Sequence, residues 1–219
     1  MSDSDPLAHP FAASNRVTIV SGLPRSGTSL LMQMLEAAGL PIAQDGARPC
    51  DPDNPRGYYE LSAAKRLQSD ASFLEGCRGR VVKLVAPLLL ELPPQPVCRV
   101  LFVERDLGEI LASQRAMLER QGKPVSAAND PGLARGFESV LARCRAWLAR
   151  QSGAPTLFVA HRALVDSPGE SVSRIARFLE ETAAGSRAPA DEVAAARARA
   201  VMSRVVDPAL YRQRGDQRG

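Results

Sequence analysis

Gly22-Leu23-Pro24-Arg25-Ser26-Gly27-Thr28-Ser29 is the stretch whose residue types and spacing could do chemistry. Two glycines five apart, followed by two hydroxyl residues, follow the G-x-x-x-x-G-K-[S/T] pattern of a loop that wraps a phosphate. Thr28, however, stands where the lysine belongs. Such a loop binds an anion through its backbone amides and the start of the following helix. A nucleoside triphosphatase needs the lysine on its β- and γ-phosphates. This loop must draw its cation from elsewhere, and Arg25 is the obvious source. A side chain at Gly27 is expected to enter the space of the anion.

The loop has the flanking elements it needs. Val17-Thr18-Ile19-Val20 is a β-branched run that reads as a strand. After the loop, Leu30, Leu31, Met34, Leu35 and Ala38 recur at helical spacing, and Gly39 with Pro41 ends the helix.

The stretch PRSGTSLL resembles the 5′-phosphosulfate loop of the sulfotransferases that use 3′-phosphoadenosine 5′-phosphosulfate (PAPS). The resemblance runs in order over roughly Val17 to Leu179. It implies that Arg25, Ser26, Gly27, Thr28 and Ser29 surround the 5′-phosphosulfate. In that family a strand ends in Arg-Asp and a serine follows eight residues after the arginine; Arg105 and Ser113 occupy those positions here. The resemblance implies that they hold the 3′-phosphate, for which arginine offers a planar fork. The family often has proline after Arg-Asp, and here it is Leu107.

Asn54-Pro55-Arg56-Gly57-Tyr58-Tyr59-Glu60, followed by Lys83 in VVKLVAP, resembles the acceptor side of the tyrosylprotein and heparan-type branch. The resemblance implies Glu60 as the base on the acceptor and Lys83 and Arg25 as the cations on the transferring group. The family's Lys-Asp-Pro tripeptide is absent, since Leu84 and Val85 follow Lys83. Asp45, Asp51 and Asp53 are the reserve bases. A fourth echo is His161-Arg162-Ala163-Leu164, which stands where the family shows Tyr-Glu-x-Leu, ahead of Pro168 and Phe178-Leu179. His161 reads there as scaffold, with a contact to ligand as the alternative.

The implied activity is transfer of a sulfuryl group to a hydroxyl or amine, on a small-molecule or carbohydrate acceptor. Its product nucleotide is 3′,5′-adenosine bisphosphate, and no metal is required. Two other functions stay open: a P-loop small-molecule kinase, and a nucleotide-binding regulator without turnover. The missing lysine and the lack of an evident magnesium aspartate count against the kinase.

The rest of the chain predicts an α/β, three-layer P-loop fold with a central, mainly parallel sheet flanked by helices. Strands are expected at Arg80–Ala86, Arg99–Glu104 and Thr156–Ala160. Helices are expected over Leu61–Leu74, from Pro87, over Leu107–Arg120 and Leu133–Arg150, and after a Ser167-Pro168-Gly169-Glu170 capping box. An amphipathic helix is expected over Asp191–Arg204. Residues 1–15 read as a mobile lead-in and 16–182 as the sulfotransferase-like domain. Residues 183–219, rich in Ala and Arg, read as a helix and basic tail packed on that domain or closing over it.

At 219 residues, with 45% hydrophobic residues and a net charge of +4, the chain fits one domain with an affinity for anions. No nucleic-acid motif accompanies the charge. Four cysteines without C-x-x-C spacing read as reduced thiols, and with only two histidines a metal site is not expected. No signal peptide or membrane-length apolar run is present, so the expectation is a cytoplasmic monomer or homodimer with no membrane partner.

Overall fold

Four β-branched or continuously apolar runs pair into one sheet in the computed structural model, which describes residues 11, 15–47, 50–51, 54, 57–94, 96–125, 131–183 and 192–207. The strands are β1 (Val17–Gly22), β2 (Val81–Val85), β3 (Cys98–Glu104) and β4 (Thr156–Ala160). They lie in the order β2-β1-β3-β4, and every pairing is parallel. The helices are α1 (Thr28–Ala37), α2 (Ala86–Leu89), α3 (Leu107–Arg120), α4 (Pro131–Ala149), α5 (His161–Asp166), α6 (Pro168–Glu181) and α7 (Glu192–Arg204).

Both faces of the sheet are covered, as a parallel sheet requires. Side chains alternate along a strand, so Val20 and Ile19 enter different layers. Val20, Leu101 and Val159 pack with Leu31 and Leu35 of α1, Ile175 of α6 and Met202 of α7. Ile19, Val82 and Phe102 pack with Leu89 of α2, Ile110 of α3 and Cys144 and Leu148 of α4. This is the expected three-layer α/β architecture. In such a sheet the carboxyl ends of the strands, and the loops leaving them, form the ligand crevice. The Gly22–Ser29 loop leaves β1 there, Arg105 follows β3, and His161 follows β4.

Several expected elements differ. The helix read over Leu61–Leu74 is two 3₁₀ turns, Ser62–Arg66 and Ser72–Cys77. Ser69 and Asp70 interrupt it: the Ser69 hydroxyl donates to the Arg66 carbonyl, and the Ser72 amide donates to the Asp70 carboxylate. Short polar side chains that bond the local backbone compete with a helix. The capping box at Ser167 does not form a side-chain bond; Pro168 alone starts α6. Asp106 caps α3 instead, accepting from the Glu109 amide at 3.0 Å. The first residues of the fourth echo form a helix of their own, α5.

Phe11 lies in the stretch read as a mobile lead-in, yet it is fully buried and its carbonyl accepts from Arg99. Arg99 rises from β3 into the core, where it also donates to Thr18 Oγ1 at 2.8 Å and to the Leu179 carbonyl at 2.6 Å. Burial without a carboxylate lowers its pKa to about 10, with the Arg16 charge adding to the effect. The expected helix near the C-terminus is α7, whose Ala195, Ala198 and Met202 join the core. The tail beyond residue 207 and its arginines lie outside the described residues. All four cysteines are free, and burial raises the thiols of Cys77, Cys98 and Cys144.

Candidate active site

The loop after β1 is closed more tightly than an ordinary turn. A Cβ on Gly22 would lie 2.6 Å from Ser26 Oγ and 2.6 Å from the Val103 carbonyl oxygen, so only glycine lets the loop fold onto β3. The Ser26 amide donates back to the Leu23 carbonyl at 3.1 Å. Arg25 adopts φ 68°, a left-handed conformation that costs a non-glycine residue about 1–2 kcal/mol. Strain held in this way is found where a site requires it. The first amides of α1 have no acceptor within their helix. Ser21 Oγ and Ser26 Oγ are buried, with no hydrogen-bond partner among the described residues. An orphaned buried hydroxyl costs about 1–3 kcal/mol.

Gly27 behaves differently from expectation. It sits at φ 103°, and a Cβ there would meet His161 Cδ2 at 2.3 Å. The glycine is therefore needed for the approach of the imidazole and for its backbone angle. A side chain at Gly27 would therefore strike His161. His161 is 6% exposed, and its pKa falls to about 4. Burial is the main cause and the Arg105 charge adds to it, while Glu109 and Asp166 act in the opposite sense. The ring is thus neutral at pH 7.

Arg25 of the expected cradle meets both residues of the expected clamp. Arg25 Nε donates to Ser113 Oγ at 3.1 Å. Arg105 Nη1 donates to the Arg25 carbonyl at 3.1 Å. Arg105 Nε donates to Glu109 Oε2 at 2.9 Å in an almost fully buried ion pair. Glu109 was not among the expected residues, although its spacing four after Arg105 on a helix is the sequence signal for such a pair.

Lys83 joins the loop from the neighbouring strand. Val20 pairs with Lys83 in the sheet register, which sets the side chain beside the cradle. Its ammonium donates to Ser29 Oγ at 3.0 Å and to the Tyr58 carbonyl at 2.8 Å. A strand neighbour thereby supplies a cation that the loop itself lacks at Thr28.

The segment before Glu60 is stitched to the same place. Asn54 Nδ2 donates to Ser29 Oγ at 2.9 Å, and the Tyr59 hydroxyl donates to Glu36 Oε2 of α1 at 2.6 Å. Tyr59 adopts φ 54°, the second non-glycine residue in the left-handed region. Glu60 lies two residues after the Tyr58 carbonyl held by Lys83, which is about 7 Å of chain at most. The structure gives its backbone oxygen, accepting from the Asp45 amide at 3.4 Å, and it is half-buried.

The reserve bases are otherwise engaged. Asp45 accepts from the Ser62 amide at 2.6 Å, and that bond leads the causes that lower its pKa, which makes it a weaker base. Asp51 accepts from the Tyr58 hydroxyl at 2.7 Å and from the Asn54 amide at 3.0 Å. Asp53 lies outside the described residues. Among the described residues no cluster of His, Cys, Asp and Glu is suited to a metal ion, and no helix is long and apolar enough to cross a membrane.

No protein-family model matches this sequence, and no curated protein matches it. Among solved structures, the crystal structure of a sulfotransferase from Mycobacterium avium aligns with a TM-score of 0.48 at 14% identity, covering 88% of this chain and 69% of that one.

Proposed function

We propose that this protein moves a sulfuryl group from PAPS to a hydroxyl or amine acceptor by in-line transfer. The observation that carries the reading is the junction of Arg25, Arg105 and Ser113 beside a phosphate loop without its lysine. It offers two guanidinium groups and a hydroxyl to a second anionic group close to the first. That suits a nucleotide phosphorylated at both ends of its ribose.

The residues present fit such a donor. Orphaned Ser26 Oγ and the loop amides suit a 5′-phosphate, and Thr28 and Ser29 add hydroxyl donors. Arg105 and Ser113 suit the 3′-phosphate. When bound, PAPS supplies a sulfonate activated by its phosphate leaving group. Arg25 and Lys83 place positive charge where negative charge grows on that leaving group. Glu60 takes the acceptor proton, with Asp51 the reserve. Glu109 keeps the Arg105 guanidinium oriented. The acceptor is a small molecule or carbohydrate, and the chain works without a metal as a cytoplasmic monomer or homodimer.

The test is calorimetric titration of 3′,5′-adenosine bisphosphate, AMP and ATP, with and without chelator. A charge-assisted arginine contact is worth about 1.5–3 kcal/mol, so Arg105 should favour the bisphosphate over AMP by about 10–150-fold. Arg105→Ala should abolish most of that preference, and chelator should change nothing. Equal affinity for AMP and the bisphosphate, or strict dependence on magnesium and ATP, would overturn the reading in favour of a kinase.

A further inference from the structure

We propose that Asn54 is a positioning residue that makes the Ser29 hydroxyl a one-way donor toward the anion in the cradle. The cradle then selects an oxygen that carries no proton. This inference rests on the reading of the loop as an anion cradle.

The argument is a count of protons. Asn54 Nδ2 lies 2.9 Å from Ser29 Oγ and also against the Gly57 carbonyl oxygen. A carbonyl only accepts, so the atom facing it is the amide nitrogen, and the orientation of the side chain follows. Both amide protons are then spent, one on Gly57 and one on Ser29. Lys83 Nζ, which can only donate, lies 3.0 Å from the same Ser29 Oγ. A hydroxyl has two acceptor positions and one proton. With both acceptor positions taken, the Ser29 proton must go to a third partner that accepts.

Ser29 is the second residue of α1, at the end of the helix where amides and dipole favour an anion. Ser26 Oγ of the same loop is buried without a hydrogen-bond partner among the described residues. An ionised phosphate or sulfonate oxygen satisfies Ser29; a protonated one turns a donor toward a donor. Asn54 itself is held rigidly. Its backbone amide donates to Asp51 Oδ1 at 3.0 Å, and its backbone carbonyl accepts from the Gly57 amide at 3.0 Å. The same side chain therefore fastens the loop that leads to Glu60 onto the nucleotide side of the cradle. Asn54 acts through Ser29 and need not touch the ligand.

The experiment is a double-mutant cycle on binding. Wild type, Asn54→Ala, Ser29→Ala and the double variant are titrated with 3′,5′-adenosine bisphosphate and, separately, with inorganic pyrophosphate. Thermal melts confirm folding, and Asn54→Ser, too short to reach Ser29, replaces Asn54→Ala if the latter does not fold. Ser29→Ala should weaken binding by about 10–150-fold, as for a hydrogen bond to a charged group. Asn54→Ala should weaken it by about 3–10-fold in the wild-type background. In the Ser29→Ala background the same change should matter by less than about 2-fold. Asn54→Asp should be worse than Asn54→Ala, because a carboxylate captures the Ser29 proton. Equal losses from Asn54→Ala in both backgrounds would overturn the inference. The two probes separate it from the sulfotransferase reading. If pyrophosphate binds as well as the bisphosphate, that reading fails while the cycle still decides the role of Asn54. If neither probe binds, both fail.

Discussion

One buried imidazole should make a defined contribution to the loss of stability in acid. His161 is buried against Gly27 of the phosphate loop, and Arg105 and Glu109 of the clamp and Asp166 of its own helix act on it. Its pKa in the folded chain is about 4, against an ordinary 6.5. Above pH 6.5 the ring is neutral in both folded and unfolded chains, and no proton is exchanged. As the pH falls below that value, the unfolded chain takes up a proton that the folded chain refuses. Stability therefore drops between pH 6.5 and about 4 and then levels, as far as this group is concerned. At about 1.4 kcal/mol per pH unit, that interval converts to roughly 3 kcal/mol, a large share of the stability of a typical domain. Other groups titrate in the same window, so the readout is a difference. Urea unfolding is measured at pH 7.5, 6, 5 and 4 on wild type and on His161→Gln. The wild type should lose about 3 kcal/mol more than the variant across that range. Parallel curves for the two proteins would refute the reasoning, because they would mean that the ring is as easily protonated folded as unfolded.

Two further outcomes test the site. Glu60→Gln keeps shape and removes basicity; it should cut turnover by about 10²–10⁴-fold and leave binding of 3′,5′-adenosine bisphosphate nearly intact. If turnover survives where chemistry limits the rate, Asp51→Asn is the next measurement. Gly27→Ala should lower the melting temperature, because its methyl would meet His161 Cδ2 and because φ 103° strains any side chain. Adding His161→Ala should restore part of that loss, the remainder being the backbone term of about 1–2 kcal/mol. No restoration would mean that the imidazole is not what the methyl strikes.

The parts of this structure legible in the sequence are those whose physics is local. The cradle is a spacing of glycines and hydroxyls between a β-branched run and a helical repeat, and all of it lies within a few turns of chain. The strands β1, β3 and β4 are short apolar runs in which few other conformations compete. Arg105 and Ser113 could be read together because they share one strand–helix unit, and in the structure each bonds to Arg25. Element identity failed where side chains outbid the backbone: Ser69 and Asp70 bond their neighbours and split a helix that apolar spacing alone suggested.

What the sequence could not disclose is what the topology brings together from afar. Gly27 fits two demands equally well as a string of letters, room for an anion or room for another side chain. Only the parallel order β1-β3-β4 puts His161 against it and shows that the second demand is real. Lys83 was singled out by resemblance alone, without the Lys-Asp-Pro tripeptide, and only pairing of β2 with β1 shows that it meets Ser29. The missing lysine of the loop was visible at Thr28, but the approach of Lys83 was a matter of sheet order. The adjacent strand brings the Lys83 ammonium to Ser29 Oγ, and Asn54 donates to the same hydroxyl. That arrangement couples the loop to the segment from Asp51 to Glu60, because Lys83 holds Tyr58 and Ser29 at once. A change in the segment from Asp51 to Glu60 should therefore be felt at Ser29 and the loop around it before it is felt anywhere else in the fold.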